Sequence, residues 1–177
     1  MATDKKIDVV ILGLLSHEDL TGYEIKKRID TTLKYFWSAS FGSIYPALGN
    51  LVERNLAVSR EEADSNRGKI VYSITDEGRE YLKDWLERPV VKDELRYETL
   101  LKLFFGHEGG RNTALEHIER FEEKTRAELA ELKQALAVLE SVMDMDETHK
   151  YYYLTAKFGV KSYETYLEWC DEARKLL

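Results

Sequence analysis

Apolar residues recur along the N-terminal part of the chain with the spacing of helices. The segment KKIDVVILGLL is apolar on most sides, which predicts a buried first helix of about three turns. In the next segment, TGYEIKKRIDTTLKYF, Ile25, Ile29 and Leu33 lie four residues apart and predict one inward face. Thr21 followed by Glu24 is the signature of a capping box, so we expect the second helix to begin just after Thr21.

A third helix is predicted in FWSASFGSIYPALGNL, where a proline interrupts an otherwise helical pattern. Ile44 and Leu48 recur at helical spacing and predict the buried face of this helix. Proline has no backbone amide to donate, and helices tolerate it mainly in their first turn. We therefore expect a distorted first turn whose N-cap lies between Ser40 and Ser43, with small polar side chains presented beside the proline.

Two strands and a further helix follow. Leu56 and Val58 alternate with polar residues and are predicted to face inward, as are the alternate apolar residues of 70–74. The connection DSNRGK contains asparagine and glycine, which is typical of a hairpin turn. Thr75 is predicted to cap a fourth helix, DEGREYLKDWLER. We interpret residues 1–88 as a winged helix-turn-helix domain with a two-stranded β wing.

Residues 89–177 are predicted to be helical, which makes the whole protein mainly α. VKDELRYETLLKLFF predicts a short amphipathic helix, and longer helices are predicted at about 112–143 and 146–177. The short DMD connection makes these two long helices an antiparallel hairpin. Each has more apolar surface than one partner helix covers, so we interpret this region as a dimerisation domain. The predicted seam positions are Thr125, Leu129, Leu132, Leu136, Leu139 and Met143 on one helix and Tyr163, Leu167, Cys170, Ala173 and Leu177 on the other.

Composition and charge narrow the class of protein. The net charge of −7 argues against an anionic partner, but residues 21–60 contain six basic side chains against three acidic ones, which permits phosphate binding locally. No apolar run approaches the ~20 residues needed to cross a bilayer, and the N-terminus lacks a cleavage site for secretion. The single cysteine, Cys170, is predicted to pack in a core rather than act as a redox switch, and its isolation fits a reducing cytoplasm.

No local motif of catalysis or metal binding is present in the sequence. The four histidines are scattered without the spacing of metal ligands, and the sequence has neither a glycine-rich phosphate loop nor a nucleophile elbow. Carboxylates are plentiful, but they lie on helix faces that are predicted to be solvated. We therefore predict that the protein is not an enzyme and that it has no cofactor and no metal site.

Several motifs in combination indicate a family resemblance. GLLSHEDLTGYEI, IYPALGNL, YSITDEG and YETLLKLFF resemble motifs of the PadR family of bacterial transcription regulators, and the C-terminal region is similar to the branch with a larger C-terminal domain. The resemblance covers nearly the whole chain. It implies a cytoplasmic homodimer that binds double-stranded DNA at a pseudo-palindromic operator, with activity modulated by a small aromatic or phenolic effector. Asn55 stands where many relatives have glycine, and asparagine also tolerates the left-handed conformation that ends a helix.

The resemblance implies that the third helix is the recognition helix and enters the major groove of DNA. Asn50 is expected to read adenine N6 and N7, and the Tyr45 hydroxyl to contact a phosphate. Arg67 and Lys69, at the tip of the hairpin, are expected to lie along the minor groove or its phosphates. Each residue alone has a structural alternative, because serines also cap helices, tyrosines also pack and cations also occupy solvated loops. The predicted DNA-binding residues are Ser38, Ser40, Ser43, Tyr45, Asn50, Arg67 and Lys69.

A second set of residues is predicted to bind the effector. Aromatic residues are frequent around the domain junction and in the C-terminal helices, where they form either a core or a pocket between the two domains. In such a pocket a phenolic ring stacks on aromatic side chains, and Lys157 or His149 meets its carboxylate. The predicted effector-binding residues are Trp37, Tyr97, His149, Tyr153 and Lys157.

The predicted function is that of a sequence-specific DNA-binding regulator of transcription, acting as a repressor that a small aromatic effector releases. The alternative is a winged-helix module that binds other proteins and not DNA. The acidic net charge favours this alternative, because many DNA-binding domains are basic. A positive stripe across the third helix and the wing would distinguish the regulator from the interaction module.

Overall fold

The computed structural model describes residues 6–61, 69–90, 93 and 97–177. The protein is mainly helical with one small antiparallel sheet, which confirms the predicted fold class. Among the described residues, no helix is both long and apolar enough to cross a membrane. The helices are α1 (Lys6–Leu15), α2 (Gly22–Arg28), α3 (Phe41–Glu53), α4 (Asp76–Glu87), α5 (Glu98–Phe104), α6 (Gly110–Val142) and α7 (Glu147–Leu176), and the strands are β1 (Leu20–Thr21), β2 (Ala57–Glu61) and β3 (Ile70–Ile74).

The N-terminal unit, Met1–Asp93, contains α1 to α4 and the whole sheet. Its strands lie in the order β1-β3-β2, and both pairings are antiparallel, with Leu20 opposite Tyr72 and Ala57 opposite Ile74. The predicted two-stranded wing is therefore part of a three-stranded sheet. Strand β1 has only two residues, which is too short to show the alternation of apolar and polar residues by which strands are recognised.

The core of the N-terminal unit is formed by the inward faces of α1, α2 and α3. Ile25 and Ile29 are fully buried, as their spacing predicted, although α2 ends at Arg28 and continues as a π-helical turn over Ile29–Leu33. The predicted capping box is confirmed, because the Thr21 amide donates to Glu24 Oε2 at 2.8 Å and Thr21 Oγ1 accepts from the Glu24 amide at 3.2 Å. The buried apolar residues of this core include Ile11, Leu12, Leu15, Ile44, Leu48 and Leu51.

Helix α3 begins at Phe41, with Ser40 as its N-cap, which is the earlier limit of the predicted range. Pro46 is therefore the sixth residue of the helix and lies on its exposed side. The helix ends before Asn55, whose φ of 55° is the left-handed conformation expected there.

The turn at Asn55 also changes which residues of β2 face inward. Leu56 and Ala57 are both buried, whereas the side chain of Val58 is 54% exposed. The prediction that Val58 faces the core was therefore wrong. Pairing with β3 begins at Ala57, opposite Ile74, and every later residue of β2 is exposed, so β2 shows no alternation of buried and exposed residues. Ile70 of β3, opposite Glu61, is 44% exposed, so its predicted inward position was also wrong.

The C-terminal unit, Glu94–Leu177, is built on the long helices α6 and α7, with the short α5 packed against α6. The two helices run antiparallel, as predicted, because Lys133 of α6 pairs with Glu164 of α7 at 2.7 Å and residues further towards the end of α7 pair nearer the start of α6. Leu129 and Leu132 are buried, as their a/d spacing predicted. Leu177 was predicted to extend the seam, but it follows the last residue of α7 and is 41% exposed.

A buried ion cluster joins α6 to α7. Glu122 is only 8% exposed, and its carboxylate accepts hydrogen bonds from Arg174 of α7 and from Arg126 Nε at 2.9 Å. The hydrogen bond from Arg174 is the largest cause of the lowered pKa of Glu122. Cys170 is fully buried, and burial raises the pKa of its thiol, which agrees with the predicted packing role.

Candidate nucleic-acid interface

The exposed face of α3 carries small side chains. Gly42, Pro46 and Gly49 are all exposed, and we call them the small-residue strip; Asn50 lies beside them. A Cβ atom at Gly49 would have no neighbour within 4 Å, so no described contact requires glycine at this position. Glycine in a helix interior costs about 0.5–1 kcal/mol of stability relative to alanine. The strip leaves the backbone of α3 accessible to the surface of another molecule.

The serines at the start of α3 differ in their hydrogen bonds. Ser40 is the N-cap, but its side chain makes no capping hydrogen bond. Ser43 Oγ donates to the carbonyl of Ser40 at 2.8 Å, so this hydroxyl is already engaged within the first turn. Ser38 and Ser40 are both exposed. Because a helix N-terminus carries partial positive charge, these two hydroxyls are placed where an anion such as a phosphate is favoured.

Tyr45 is held at a defined position although half of its side chain is exposed. Its ring stacks on Phe41 with centroids 6.1 Å apart, and 51% of the side chain remains accessible. The ring also lies against Gly22, the first residue of α2, where a Cβ atom would be only 2.7 Å from Tyr45 Cε1. Burial, and to a smaller extent the charge of a deprotonated Tyr45, raise the pKa of Tyr72 in β3.

Asn50 is exposed on α3, and its side-chain oxygen accepts a hydrogen bond from Arg54, the C-cap residue of the same helix. Arg54 Nη1 donates to Asn50 Oδ1 at 3.3 Å and to Asp8 Oδ2 of α1 at 3.2 Å. The guanidinium also lies over the ring of Tyr81 in α4, 4.9 Å from its centroid. This network was not predicted from the sequence. The sequence feature that could have indicated it is Asp8, a carboxylate within the largely apolar α1. A carboxylate that is buried needs a cationic partner.

Several cations near α2 and the sheet are paired with carboxylates. These pairs reduce the positive charge that the local count of basic residues suggested. Each pair is partly exposed, and exposed pairs contribute little to stability. The pairs are Lys26 with Asp30, Arg28 with Glu18, and Arg60 with Asp19 at 2.8 Å.

The two predicted residues of the wing tip differ in what the structure shows. Arg67 lies outside the described residues. Lys69 is exposed and directly precedes β3. Its charge also helps to lower the pKa of Glu24, although the hydrogen bond from the backbone of Thr21 is the larger cause.

In the N-terminal unit, Trp37 is the predicted effector-binding residue. Its ring packs against the core of that unit and is partly buried. Among the described residues, none accepts a hydrogen bond from its buried Nε1. An indole N–H usually finds an acceptor when it is buried, so this unpaired donor is unusual.

In the C-terminal unit, the predicted effector-binding residues form two separate groups. The Tyr97 hydroxyl donates to the Tyr166 hydroxyl at 2.6 Å. His149 lies in the first turn of α7, where Nδ1 is 2.9 Å from the carbonyl of Val142. At 1.5 Å per residue, Tyr166 lies about 26 Å further along the same helix than His149. The structure therefore does not bring Tyr97 and His149 together.

Each of these two groups has its own aromatic surroundings. Tyr97 and Tyr166 pack around Phe121, which also meets Trp169 edge to face with centroids 5.9 Å apart. Burial and the hydrogen bond to Tyr166 raise the pKa of Tyr97. At the other end of α7, Lys157 Nζ lies 5.3 Å from the centroid of the Tyr153 ring, which is a cation–π distance.

A pocket of about 330 Å³ lies between α5 and the beginning of α6. Leu101, Phe105 and Ala114 supply much of its apolar lining, and Lys102 and His117 are among its polar residues. No residue that was predicted to bind the effector lines this pocket. Among the described residues, no cluster of histidine, cysteine and carboxylate side chains has the arrangement of a metal site.

Comparisons with protein families match both units. Residues 11–84 match the family described as transcriptional regulator PadR-like, and residues 95–177 match the family described as virulence activator alpha C-term. The protein named Negative transcriptional regulator PadR, of Bacillus subtilis, is 28% identical over an alignment of 166 positions that covers 91% of this chain and 91% of that protein.

Solved structures show the same relationship. The crystal structure of Bacillus subtilis PadR in complex with operator DNA aligns with a TM-score of 0.82 and 26% identity, over 99% of this chain and 99% of that chain. The structure of the same protein in complex with p-coumaric acid aligns with a TM-score of 0.75 and 26% identity, over 97% of this chain and 98% of that chain. These findings confirm the predicted family resemblance and favour a regulator over an enzyme.

Proposed function

Because the chain belongs to the PadR-like family of DNA-binding transcriptional regulators, we propose that it is a cytoplasmic repressor that binds a pseudo-palindromic operator as a homodimer. The observation that carries the proposal is the small-residue strip on α3, within a fold that aligns over 99% of its length with a regulator solved on operator DNA. In winged helix-turn-helix proteins the corresponding helix enters the major groove.

Each predicted DNA-binding residue has a distinct role in this proposal. The hydroxyls of Ser38 and Ser40 and the Tyr45 hydroxyl bind backbone phosphates, which position the protein without reading sequence. Asn50 meets a base edge in the major groove. Ser43 supports the first turn of α3, because its hydroxyl donates to the carbonyl of Ser40. Arg67 and Lys69 contact the minor groove or its phosphates from the wing.

The homodimer is supported by apolar side chains that the C-terminal unit leaves exposed. Tyr151, Leu154 and Phe158 lie on one side of α7 at helical spacing and are 66%, 62% and 74% exposed. Leu101 and Phe104 of α5 are also exposed. An apolar surface of this kind is typical of an interface between subunits. A second copy of the chain also supplies the second recognition helix that a pseudo-palindromic operator requires.

We propose that a small aromatic carboxylate, bound by this protein, releases it from DNA. The related Bacillus subtilis protein was solved with p-coumaric acid, which belongs to this chemical class. Trp37 contributes an unsatisfied indole donor, and the predicted set also includes Tyr97, His149, Tyr153 and Lys157. His149 and Lys157, near the start of α7, are the nitrogen-bearing side chains that would meet a carboxylate there.

A protein-interaction module without DNA binding is the second candidate function. It is favoured by the net charge of −7 and by the carboxylate partners of Lys26, Arg28 and Arg60 close to the proposed DNA-binding surface. Such pairs weaken the positive field that attracts DNA. The two candidate functions predict opposite results in a DNA-binding experiment.

The experiment is a mobility-shift titration with the promoter region upstream of the gene that encodes the protein. We expect a discrete shifted band whose affinity falls as salt rises, with a slope of about −0.9 for each phosphate that is neutralised. A shuffled duplex of equal length and composition is the control and should bind more weakly. If neither the wild-type promoter nor any adjacent promoter shifts at low salt, the interaction module becomes the better proposal.

Replacing Gly49 by alanine is expected to stabilise the protein and to weaken DNA binding. The added methyl group removes the helix penalty of glycine, so the free energy of unfolding should rise by about 0.5–1 kcal/mol. If α3 enters the groove closely, the same methyl group separates the two surfaces, and operator affinity should fall by about tenfold, or about 1.4 kcal/mol. Thermal unfolding and a DNA titration measure the two effects.

Gly13→Ala is the matched control for this prediction. Gly13 is also a helical glycine whose Cβ would have no neighbour within 4 Å, but it lies on α1, which carries none of the proposed DNA-binding residues. Gly13→Ala should therefore leave operator affinity unchanged. Unchanged affinity in Gly49→Ala as well would show that Gly49 does not face the DNA.

A further inference from the structure

Asp8 is a buried carboxylate in α1, whose one other polar side chain is Lys6 at its first position. It is 2% exposed, and it lies on α1 among Val9, Ile11 and Leu12, which belong to the same buried surface. A charged group is costly to bury unless a cation and hydrogen bonds compensate for the lost water. Arg54, the C-cap residue of α3, provides part of this compensation, because its Nη1 lies 3.2 Å from Asp8 Oδ2.

Arg54 connects this buried charge to the exposed face of α3. Its Nη1 atom carries two hydrogens, which are directed to Asp8 Oδ2 at 3.2 Å and to Asn50 Oδ1 at 3.3 Å. The guanidinium plane is further restrained by the ring of Tyr81, 4.9 Å from its centroid. The position of the Asn50 amide is therefore linked through one cation to the packed helices α1 and α4.

We propose that Arg54 is a positioning residue that fixes the orientation in which Asn50 meets DNA. Arginine has only donors, so the amide atom that faces it is the oxygen, and the Asn50 Nδ2 amino group is directed away from it. Asn50 then presents hydrogen-bond donors to acceptors in the major groove, such as N7 of a purine, O6 of guanine or O4 of thymine. The inference rests on the proposed function, because it requires that α3 binds DNA.

This arrangement assigns a role to Asp8 as well. Asp8 accepts a hydrogen bond from one hydrogen of Arg54 Nη1. The other hydrogen of that atom is then directed to Asn50. A side chain that is already oriented loses less freedom when it binds than one that rotates freely. The contrasting explanation is that Asp8 and Arg54 only hold α1 against α3, in which case the orientation of Asn50 is incidental.

The double variant Asp8→Leu/Arg54→Met distinguishes the two explanations. It removes both charges together and leaves apolar side chains of suitable size, an exchange that often preserves or raises stability for a buried ion pair. The ratio of affinities for an operator duplex and a shuffled duplex measures base recognition. The operator duplex is the sequence that the wild-type protein protects in a footprint of its own promoter.

We expect the double variant to fold with a wild-type circular dichroism spectrum. Its ratio of operator affinity to shuffled-duplex affinity should be about tenfold lower than that of the wild-type protein. Asn50→Ala should then cost little further in this background, although it costs about tenfold in the wild-type protein. Arg54→Lys is a second test that keeps the charge beside Asp8. A single ammonium does not reproduce the planar pair of donors, so this variant should also fold and lose discrimination.

The possible outcomes separate this inference from the proposed function. If the wild-type protein protects no operator, the proposed function is wrong and the inference is wrong with it. If the wild-type protein discriminates and a folded double variant or Arg54→Lys discriminates equally well, the positioning role of Arg54 is wrong and the regulator remains. A double variant that does not fold, together with full discrimination by Arg54→Lys, also overturns the positioning role.

Discussion

Replacing Gly78 by alanine is expected to lower the free energy of unfolding of the N-terminal unit by about 3 kcal/mol. A Cβ atom at this position would lie 2.0 Å from the carbonyl oxygen of Leu56 and 2.8 Å from Ile74 Cγ1. The backbone oxygen has no rotamer by which to move away. It is also fixed because it accepts a hydrogen bond from the Thr75 amide at 3.2 Å. The start of α4 would therefore have to separate from the turn that follows α3.

The measurement is a urea unfolding curve followed by circular dichroism, with Gly13→Ala as the matched control. Gly13 also lies in a helix, but a Cβ atom there would have no neighbour within 4 Å. The control should unfold at the same or a slightly higher urea concentration. If Gly78→Ala unfolds together with the control, the close packing of α4 on Leu56 does not exist in solution.

The variant Leu154→Asp/Phe158→Asp is expected to be monomeric and to bind operator at least about 100-fold more weakly. The two side chains are 62% and 74% exposed on the same side of α7, so their replacement removes no core contact within the described chain. Two aspartates on each subunit would place like charges at the proposed interface. Loss of the dimer removes the gain from binding two half-sites at once, which is typically 10²–10⁴ in affinity.

Light scattering measures the mass of the variant, and a DNA titration measures its affinity. Lys150→Gln/Lys161→Gln is the matched control, because it changes the net charge by the same amount at two exposed positions of α7. The control should remain dimeric. A dimeric Leu154→Asp/Phe158→Asp variant with full affinity would show that the dimer uses another surface, and a monomeric wild-type protein would contradict the homodimer itself.

The parts of the fold that could be predicted are those in which one local pattern determines the structure. The 4-3 spacing through Leu129 and Leu132 identified the buried seam of α6, because a helix places these residues on one face. Thr21 and Glu24 identified the start of α2, since both partners of a capping box lie within one turn. In each case all of the determining residues are close in sequence.

The parts that were not predicted depend on contacts between distant residues. Strand β1 exists because Leu20 and Thr21 pair with β3, and two residues carry no pattern of their own. Val58 is exposed because Ala57 is the one residue of β2 that reaches the core. Asp8 signalled a buried charge, but nothing local indicated that its partner would be Arg54, far along the chain.

The residues of the candidate site also divide into those that a local sequence pattern identified and those whose arrangement depends on distant contacts. Pro46 and Asn50 were placed on the outer face of α3 from the sequence, and the structure exposes both, whereas the exposed Gly42 and Gly49 were not predicted. The effector residues were grouped by chemical type, and chemical type does not determine distance. Tyr97 joins the cluster around Phe121, whereas His149 lies at the start of α7. Separate substitutions at these two places are therefore needed to locate an effector.

The contact between Gly22 and the ring of Tyr45 couples two motifs that look independent in the sequence. The aromatic ring occupies the volume that any side chain at position 22 would need. In homologous chains we therefore expect the two positions to covary, with a residue larger than glycine at 22 accompanied by a smaller one at 45. An evolutionary change in the DNA contact that we propose for residue 45 would thus leave a compensating change in a different helix.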